Sequence, residues 1–131
     1  MRLLLDTHVW LWSLAAPDKL KRKVRSRLEQ AKGGVWLSPI SVWELLVLAE
    51  RGRLRLDAEP RAWVREALER APLEEAVLTH EVALRSREVA LPHPDPADRF
   101  LVATALVYDL TLVTADATLI ESKACPILAN L

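Results

Sequence analysis

The sequence predicts an α/β fold: a three-layer α/β/α sandwich around a small parallel sheet. Three observations carry this expectation. Leu3, Leu4 and Leu5 form an apolar run without alternation, as a strand buried on both faces does. Comparable short runs recur at 35–37, 75–78, 111–114 and 126–128, with helical patterns between them. Strands separated by helices pair in parallel through right-handed crossovers. No repeat, low-complexity tract or linker divides the 131 residues, so a single domain over 1–131 is expected.

The elements follow in order. Residues 2–5 are the first strand, and 7–15 a short helix ended by Pro17 and Asp18. Residues 19–32 read as a second helix: Leu20, Val24, Leu28 and Ala31 share one face, and Lys19, Lys21, Arg22, Lys23, Arg25 and Arg27 make the other basic. Gly33 and Gly34 close it, as glycine does at a helix C-terminus. After the strand 35–37, Ser38 and Pro39 start a third helix, which runs to Arg51 and stops at Gly52. Residues 53–56, RLRL, alternate and predict a short extended piece.

A fourth helix opens at Pro60 and closes at Pro72, with Trp63, Val64, Ala67, Leu68 and Ala71 apolar. The strand 75–78 leads to Thr79, which caps a fifth helix over 80–90. The loop LPHPDP interrupts the chain at 91–96. A sixth helix, 97–108, is apolar almost all round and belongs deep in the fold. The strand TLVT at 111–114, a short helix at 117–122 and a last strand at 126–128 complete the chain.

Bulk properties narrow the function. With 18 basic and 18 acidic residues the chain has no net charge, which argues against a general nucleic-acid coat but leaves room for a local patch. The single cysteine, Cys125, excludes an intrachain disulfide framework. The N-terminal apolar run is too short for a signal peptide and is interrupted by Asp6. No stretch approaches the roughly 20 apolar residues of a membrane span. A cytoplasmic protein without a membrane partner is expected. With three glycines and no GxGxxG or P-loop, a nucleotide-binding switch is disfavoured.

Four acids stand at the starts of helices: Asp6, Glu44, Asp98 and Asp116. Each has a structural reading. Asp6 and Asp116 can be N-caps, Ser41-x-x-Glu44 has capping-box spacing, and Asp95-x-x-Asp98 puts an acid at a cap and another in the first turn. Their joint arrangement is less easily explained this way. In a parallel sheet the strand ends and the following helix starts share one edge, where open α/β sheets bind ligands. Two carboxylates about 4 Å apart repel by on the order of 4 kcal/mol at an effective dielectric near 20. A cation relieves that repulsion, and an oxygen-only set without Cys or His favours Mg2+ or Mn2+ over zinc. Such a cluster suits phosphodiester hydrolysis.

These segments resemble a known family. LLLDTHVWLW, SPISVWELLVLAERGRL, DPADRFLVATA and LVTAD occur in the order found in PIN-domain ribonucleases, specifically the VapC toxins of toxin–antitoxin pairs. The resemblance spans Leu3 to Asp116. It implies a PIN-like fold with Asp6, Glu44, Asp98 and Asp116 as catalytic, metal-binding acids. It also implies an endoribonuclease that hydrolyses RNA by metal-activated water as the toxin of a type II pair. Thr114 and Thr7 would support the site. The implied partners are an RNA substrate, a VapB-type antitoxin seated in a groove against the first, third and fourth helices, and a second copy of the chain in a homodimer or toxin–antitoxin hetero-oligomer.

Other residues admit two roles. Arg99 is a candidate phosphate clamp or a partner for a site carboxylate. The basic face 19–27 either steers RNA or is simply solvated. His8 and His93 lack metal-ligand partners at helical or hairpin spacing and read as structural or surface residues. Of the five tryptophans, Trp10 and Trp12 cannot face the same way on one helix, which leaves aromatic surface for an interface. Two further functional readings stay open at this point. One is a PIN nuclease for RNA processing or structured DNA without an antitoxin; the other is a non-catalytic α/β binding module whose acids only cap helices.

Overall fold

The computed structural model describes residues 2–31, 33–92 and 95–131. Their order is β1 (Leu3–Leu5), α1 (Thr7–Ala15), a 3-10 turn (Pro17–Lys19), α2 (Arg22–Gln30), β2 (Val35–Leu37), α3 (Pro39–Glu50) and α4 (Pro60–Arg70). There follow β3 (Glu74–Glu75), α5 (His80–Ser86), α6 (Pro96–Tyr108), β4 (Thr111–Thr114), α7 (Ala117–Ser122) and β5 (Ile127–Ala129). The strands form one parallel sheet in the order β3-β2-β1-β4-β5, with Leu3 opposite Val35 on one side and Thr111 on the other.

The pleat of β1 divides the core. Leu3 and Leu5 pack with Val9, Trp10, Val24, Leu45 and Val64, so α1–α4 cover one face. Leu4 points the other way, into Val82, Leu101, Val102, Ala105 and Leu119 of α5–α7. Both faces of the sheet are therefore covered, which is why β1 and β4 are apolar runs rather than alternating ones. The expected three-layer sandwich is the observed one.

This topology locates the site. From β1 the chain winds outward to β2 and β3, then crosses to β4 and winds the other way to β5. The loops leaving β1 and β4 diverge, so a crevice opens at their carboxyl ends. Asp6 directly follows β1, and Asp116 is two residues beyond β4.

Four expected elements differ in extent. Residues 19–21 are not part of α2: Lys19 ends the 3-10 turn, and Asn130 ties down the extended Leu20 and Lys21, its Oδ1 accepting from Lys21 N (2.7 Å) and its Nδ2 donating to the Lys19 carbonyl (3.1 Å). Residues 53–56 form no strand. Leu54 and Leu56 do face the core, but β3 already occupies the sheet edge beside β2. β3 is Glu74–Glu75 rather than 75–78, since β2 ends at Leu37 and leaves Val77 nothing to pair with; Tyr108 Oη donates to the Val77 carbonyl instead (2.8 Å). Finally, α5 ends at Ser86, not at 90, and the carbonyls of Ser86, Val89 and Leu91 accept from the Arg99 side chain.

The start of α3 revises a further reading. Ser38 is its N-cap, accepting from Ile40 N (3.0 Å), with Pro39 in the first turn. Ser41–Glu44 therefore lies inside the helix and is not a capping box. Ser41 Oγ is buried without a hydrogen-bond partner among the described residues. Removing an unsatisfied buried hydroxyl relieves its desolvation cost. Ser41→Ala should accordingly raise stability, by up to about 1 kcal/mol in urea denaturation.

Candidate active site: an acidic cavity at the sheet edge

The crevice is a cavity of about 360 Å³ whose walls include Asp6, Glu44, Asp95, Asp98 and Asp116, with His8 and Trp12 at its side. All four sequence-predicted acids thus meet in one place, from four separate segments of the chain.

Two threonines build the arrangement. Asp6 N still donates to the Val113 carbonyl (3.0 Å), so the residue is held at the end of the β1–β4 pair. Its Oδ1 accepts from Thr7 N (2.7 Å) and its Oδ2 from Thr114 Oγ1 (2.6 Å). Thr114 Oγ1 also accepts from Asp116 N (3.0 Å), so one buried hydroxyl fixes the spacing of two acids 110 residues apart in sequence. Thr7 Oγ1 donates to Glu44 Oε1 and draws α3 toward the β1–α1 corner. Both threonines thus hydrogen-bond to acids that line the cavity.

Capping and cavity lining coexist. Asp116 Oδ1 caps α7, accepting from Thr118 N (2.8 Å) and Leu119 N (3.2 Å). Asp95 caps α6 through Ala97 N (3.0 Å). Glu44 and Asp98 are not N-caps: Glu44 lies in the second turn of α3, and Asp98 is buried in the first turn of α6.

Burial, reinforced by the neighbouring acids, raises the pKa of three of the carboxyls. Burial, followed by the charges of Asp95, Asp6, Asp116 and Glu44, pushes the Asp98 carboxyl up to about 7. Asp6 is raised by burial against the opposing hydrogen bonds from Thr114 and Thr7. Glu44 is raised by burial, with its Thr7 bond opposing. Strongly perturbed carboxyls in one cleft mark a candidate functional site.

The donor set, all carboxylate oxygen, fits a hard divalent cation. Among the described residues, no three His, Cys, Asp or Glu side chains already stand in ligating positions around one point. Asp6 and Glu44 each accept a hydrogen bond from a threonine hydroxyl.

Arg99 corrects a sequence expectation. Its Nε, Nη1 and Nη2 donate to the carbonyls of Ser86 (2.9 Å), Leu91 (2.8 Å) and Val89 (3.5 Å), and it is not on the cavity wall. It closes the loop after α5 rather than clamping phosphate. Charge-assisted bonds to three buried or partly buried carbonyls contribute roughly 2–3 kcal/mol together, so Arg99→Met should lower the melting temperature by several degrees without a selective loss of metal-dependent behaviour.

Sequence reasoning misses two titratable residues of the cavity. His8 reads as structural, yet it lines the cavity with its ring 5.7 Å from that of Trp12. Its signal is its place in the first turn of the helix after β1, which faces the same edge. Asp95 reads only as a cap; one turn before Asp98, it reaches the cavity as well. His93 lies outside the described residues. The basic residues Arg22, Lys23, Arg25 and Arg27 of α2 are exposed and line neither this cavity nor the groove beside it.

A family model for the PIN domain matches residues 3–123, nearly the whole chain. The chain belongs to the PIN-domain family. This PIN domain is 35% identical over 116 residues to a protein named Ribonuclease VapC22 from Mycobacterium tuberculosis, covering 86% of this chain and 85% of that protein. Its fold is that of the toxin–antitoxin structures. It superposes on DNA-bound VapBC from Salmonella typhimurium with a TM-score of 0.73 at 18% identity, over 100% of this chain and 99% of that one. For VapBC2 from Rickettsia felis bound to a promoter DNA fragment, the TM-score is 0.71 at 14% identity, with 98% of each chain covered. No helix of the described residues is long and apolar enough to cross a membrane.

Proposed function

We propose that this PIN domain, acting as one unit over residues 1–131, is a divalent-metal-dependent endoribonuclease and the toxin of a type II toxin–antitoxin pair. The observation that carries the reading is the convergence of Asp6, Glu44, Asp98 and Asp116 in one cavity at the carboxyl edge of the sheet. The likeness to a protein named as a VapC ribonuclease supports the substrate class. The fold shared with VapBC complexes supports a VapB-type antitoxin as partner, and a cytoplasmic setting. Leu84, 64% exposed on α5, and Val77, 49% exposed just before it, offer apolar surface for a second copy in a homodimer or hetero-oligomer.

In this reading Asp6, Glu44, Asp98 and Asp116 hold Mg2+ or Mn2+. When bound, the cation supplies positive charge against the carboxylates and the phosphodiester, and acidifies water. The chain's own residues do the positioning. Thr114 fixes Asp6 relative to Asp116, Thr7 fixes Glu44, and the rigid start of α6 presents Asp98. The helix-start reading accounts for Asp6, Asp95 and Asp116 as N-caps and for Asp98 as a first-turn acid, but it leaves Glu44, in the second turn of α3, and the meeting of all these acids in one cavity unexplained.

The test is RNA cleavage by the protein purified free of any partner, in Mg2+, in Mn2+ and in EDTA. Cleavage to 5′-phosphate and 3′-hydroxyl ends is expected with either metal and none in EDTA. Asp6→Asn should lose at least about 100-fold, more than the 10–100-fold typical of groups that merely support metal ligands. Cleavage that persists in EDTA, or full activity in Asp6→Asn, contradicts the proposal.

A further inference from the structure

A second cavity adjoins the acidic one and shares His8 and Trp12 with it. It is a groove of about 680 Å³ between α1, the 53–57 segment and α4. Its floor is apolar, with Leu11, Leu14 and Leu56, whereas its wall carries Lys19, Arg53, Arg55 and Arg70, with Asp57 beside them and Arg70 paired to Glu66 at 3.9 Å. The family resemblance implies a protein segment on these helices. The charge suits a polyanion better.

A chain of zero net charge offers nucleic acid no general attraction, and a cavity lined by five carboxylates repels a phosphate backbone. Substrate phosphates on either side of the reacting one must therefore find cations close by. The contiguous groove supplies them. Arg53 and Arg55 are exposed, and among the described residues neither is in an ion pair. The alternation at 53–56 explains the arrangement: Leu54 and Leu56 anchor the segment in the core and leave the two guanidinium groups on the surface. At the junction of the two cavities stands the Trp12 indole, with the Lys19 ammonium 5.7 Å from its centroid and the His8 ring on its flank. Aromatic platforms flanked by cations are how proteins hold single-stranded nucleic acid without reading its sequence.

Building on the ribonuclease reading, we infer that this groove carries the single-stranded RNA leading to the scissile phosphate, with Trp12 as the positioning residue on which the adjacent base packs. Arg53 and Arg55 bind backbone phosphates; Trp12 sets where along the strand the phosphate enters the acidic cavity.

The test uses the whole chain and a fluorescein-labelled 12-nucleotide single-stranded RNA of mixed sequence, with anisotropy read in EDTA so that binding is separated from cleavage. Trp12→Leu should weaken binding about tenfold and leave the salt dependence unchanged, and Trp12→Phe should restore most of the loss. Arg53→Ala/Arg55→Ala should lower the slope of log affinity against log salt by about 1.4, roughly 0.7 per lost phosphate contact. In steady-state cleavage both variants should raise KM more than they lower kcat. Arg22→Ala/Arg25→Ala on α2, which removes equal charge elsewhere, and Trp43→Leu, at an exposed site outside the groove, should match the parent. The inference is overturned if the α2 pair changes the slope as much as the groove pair. It is overturned equally if Trp12→Leu binds RNA like the parent, or if the groove variants lose only a co-purifying protein partner and keep RNA affinity. A parent protein that neither binds nor cleaves RNA overturns the ribonuclease reading itself, whereas a parent that cleaves while the groove variants behave normally overturns the groove alone.

Discussion

Asp98→Asn should make the metal-free protein more stable while removing its RNA cleavage. The carboxyl is buried, with only 7% of its residue surface exposed, and it faces the charges of Asp95, Asp6, Asp116 and Glu44. Its pKa is about 7 in the fold against an ordinary 3.8. A raised carboxyl pKa means that the fold prefers the protonated form. The stability it contributes is fully present below about 3.8 and is lost as pH rises through 7. At pH 8 the metal-free protein therefore holds an unfavourable buried charge, which the neutral isostere removes. We expect the variant to gain about 1–2 kcal/mol at pH 8, read as several degrees in melting temperature, with the gap closing toward pH 4. Cleavage should fall at least about 100-fold in the same variant. An acid kept only to support the helix start would give the opposite signs: a loss of up to about 1 kcal/mol and no change in cleavage. Sites that trade stability for function behave in the first way.

The second large effect is stabilisation by a divalent cation. A ligand that binds only the folded state contributes about 2.7 kcal/mol at a hundred times its dissociation constant, on the order of 10 °C for a chain of this size. Its pH dependence follows from the same groups. The pKa values of Asp98, Asp6 and Glu44 are all raised, so protons compete with metal well above the usual carboxylate range. Mn2+ should raise the melting temperature strongly at pH 8 and little at pH 5. Differential scanning fluorimetry across that range, with Ca2+-free buffers and an EDTA reference, reads the effect. A shift that is equal at both pH values, or that survives in Asp98→Asn, would place the metal elsewhere on the protein.

Features that follow from local chemistry are legible in the sequence alone. The unalternating Leu3–Leu5 run tells of a strand covered on both sides, and the strand–acid junctions at Asp6 and Asp116 tell of an edge. Features that depend on partners distant in sequence are not. Residues 19–21 have the composition of a helix, but Asn130, more than a hundred residues away, binds Lys19 and Lys21 and keeps them out of α2. Val77 and Leu78 have strand character but no neighbour once β2 turns into α3 after Leu37. RLRL alternates as a strand should, and its inward leucines are real, yet no free sheet edge lies beside it. Within the cavity, residue type is a good guide for Asp6, Glu44, Asp98 and Asp116, because four acids near one edge need a reason. It is a poor guide for Arg99, whose charge suggests phosphate and whose donors are spent on backbone carbonyls. His8 and Asp95 are easily undervalued because local contacts, to Trp12 and to Ala97 N, already give each a structural role; their place in the site comes from the crevice that the strand order creates.

Whether the four carboxylates form a site for a divalent cation can be decided by anomalous scattering from a crystal soaked in Mn2+. A strong peak is expected inside the cavity, ligated by Asp6 and Asp98 and reached by Glu44 or Asp116, with the Thr114–Asp6 hydrogen bond rearranged or kept as support. A crystal at pH 8 that shows no manganese in that cavity, or shows it only at surface carboxylates elsewhere, would mean that these acids are not a metal site.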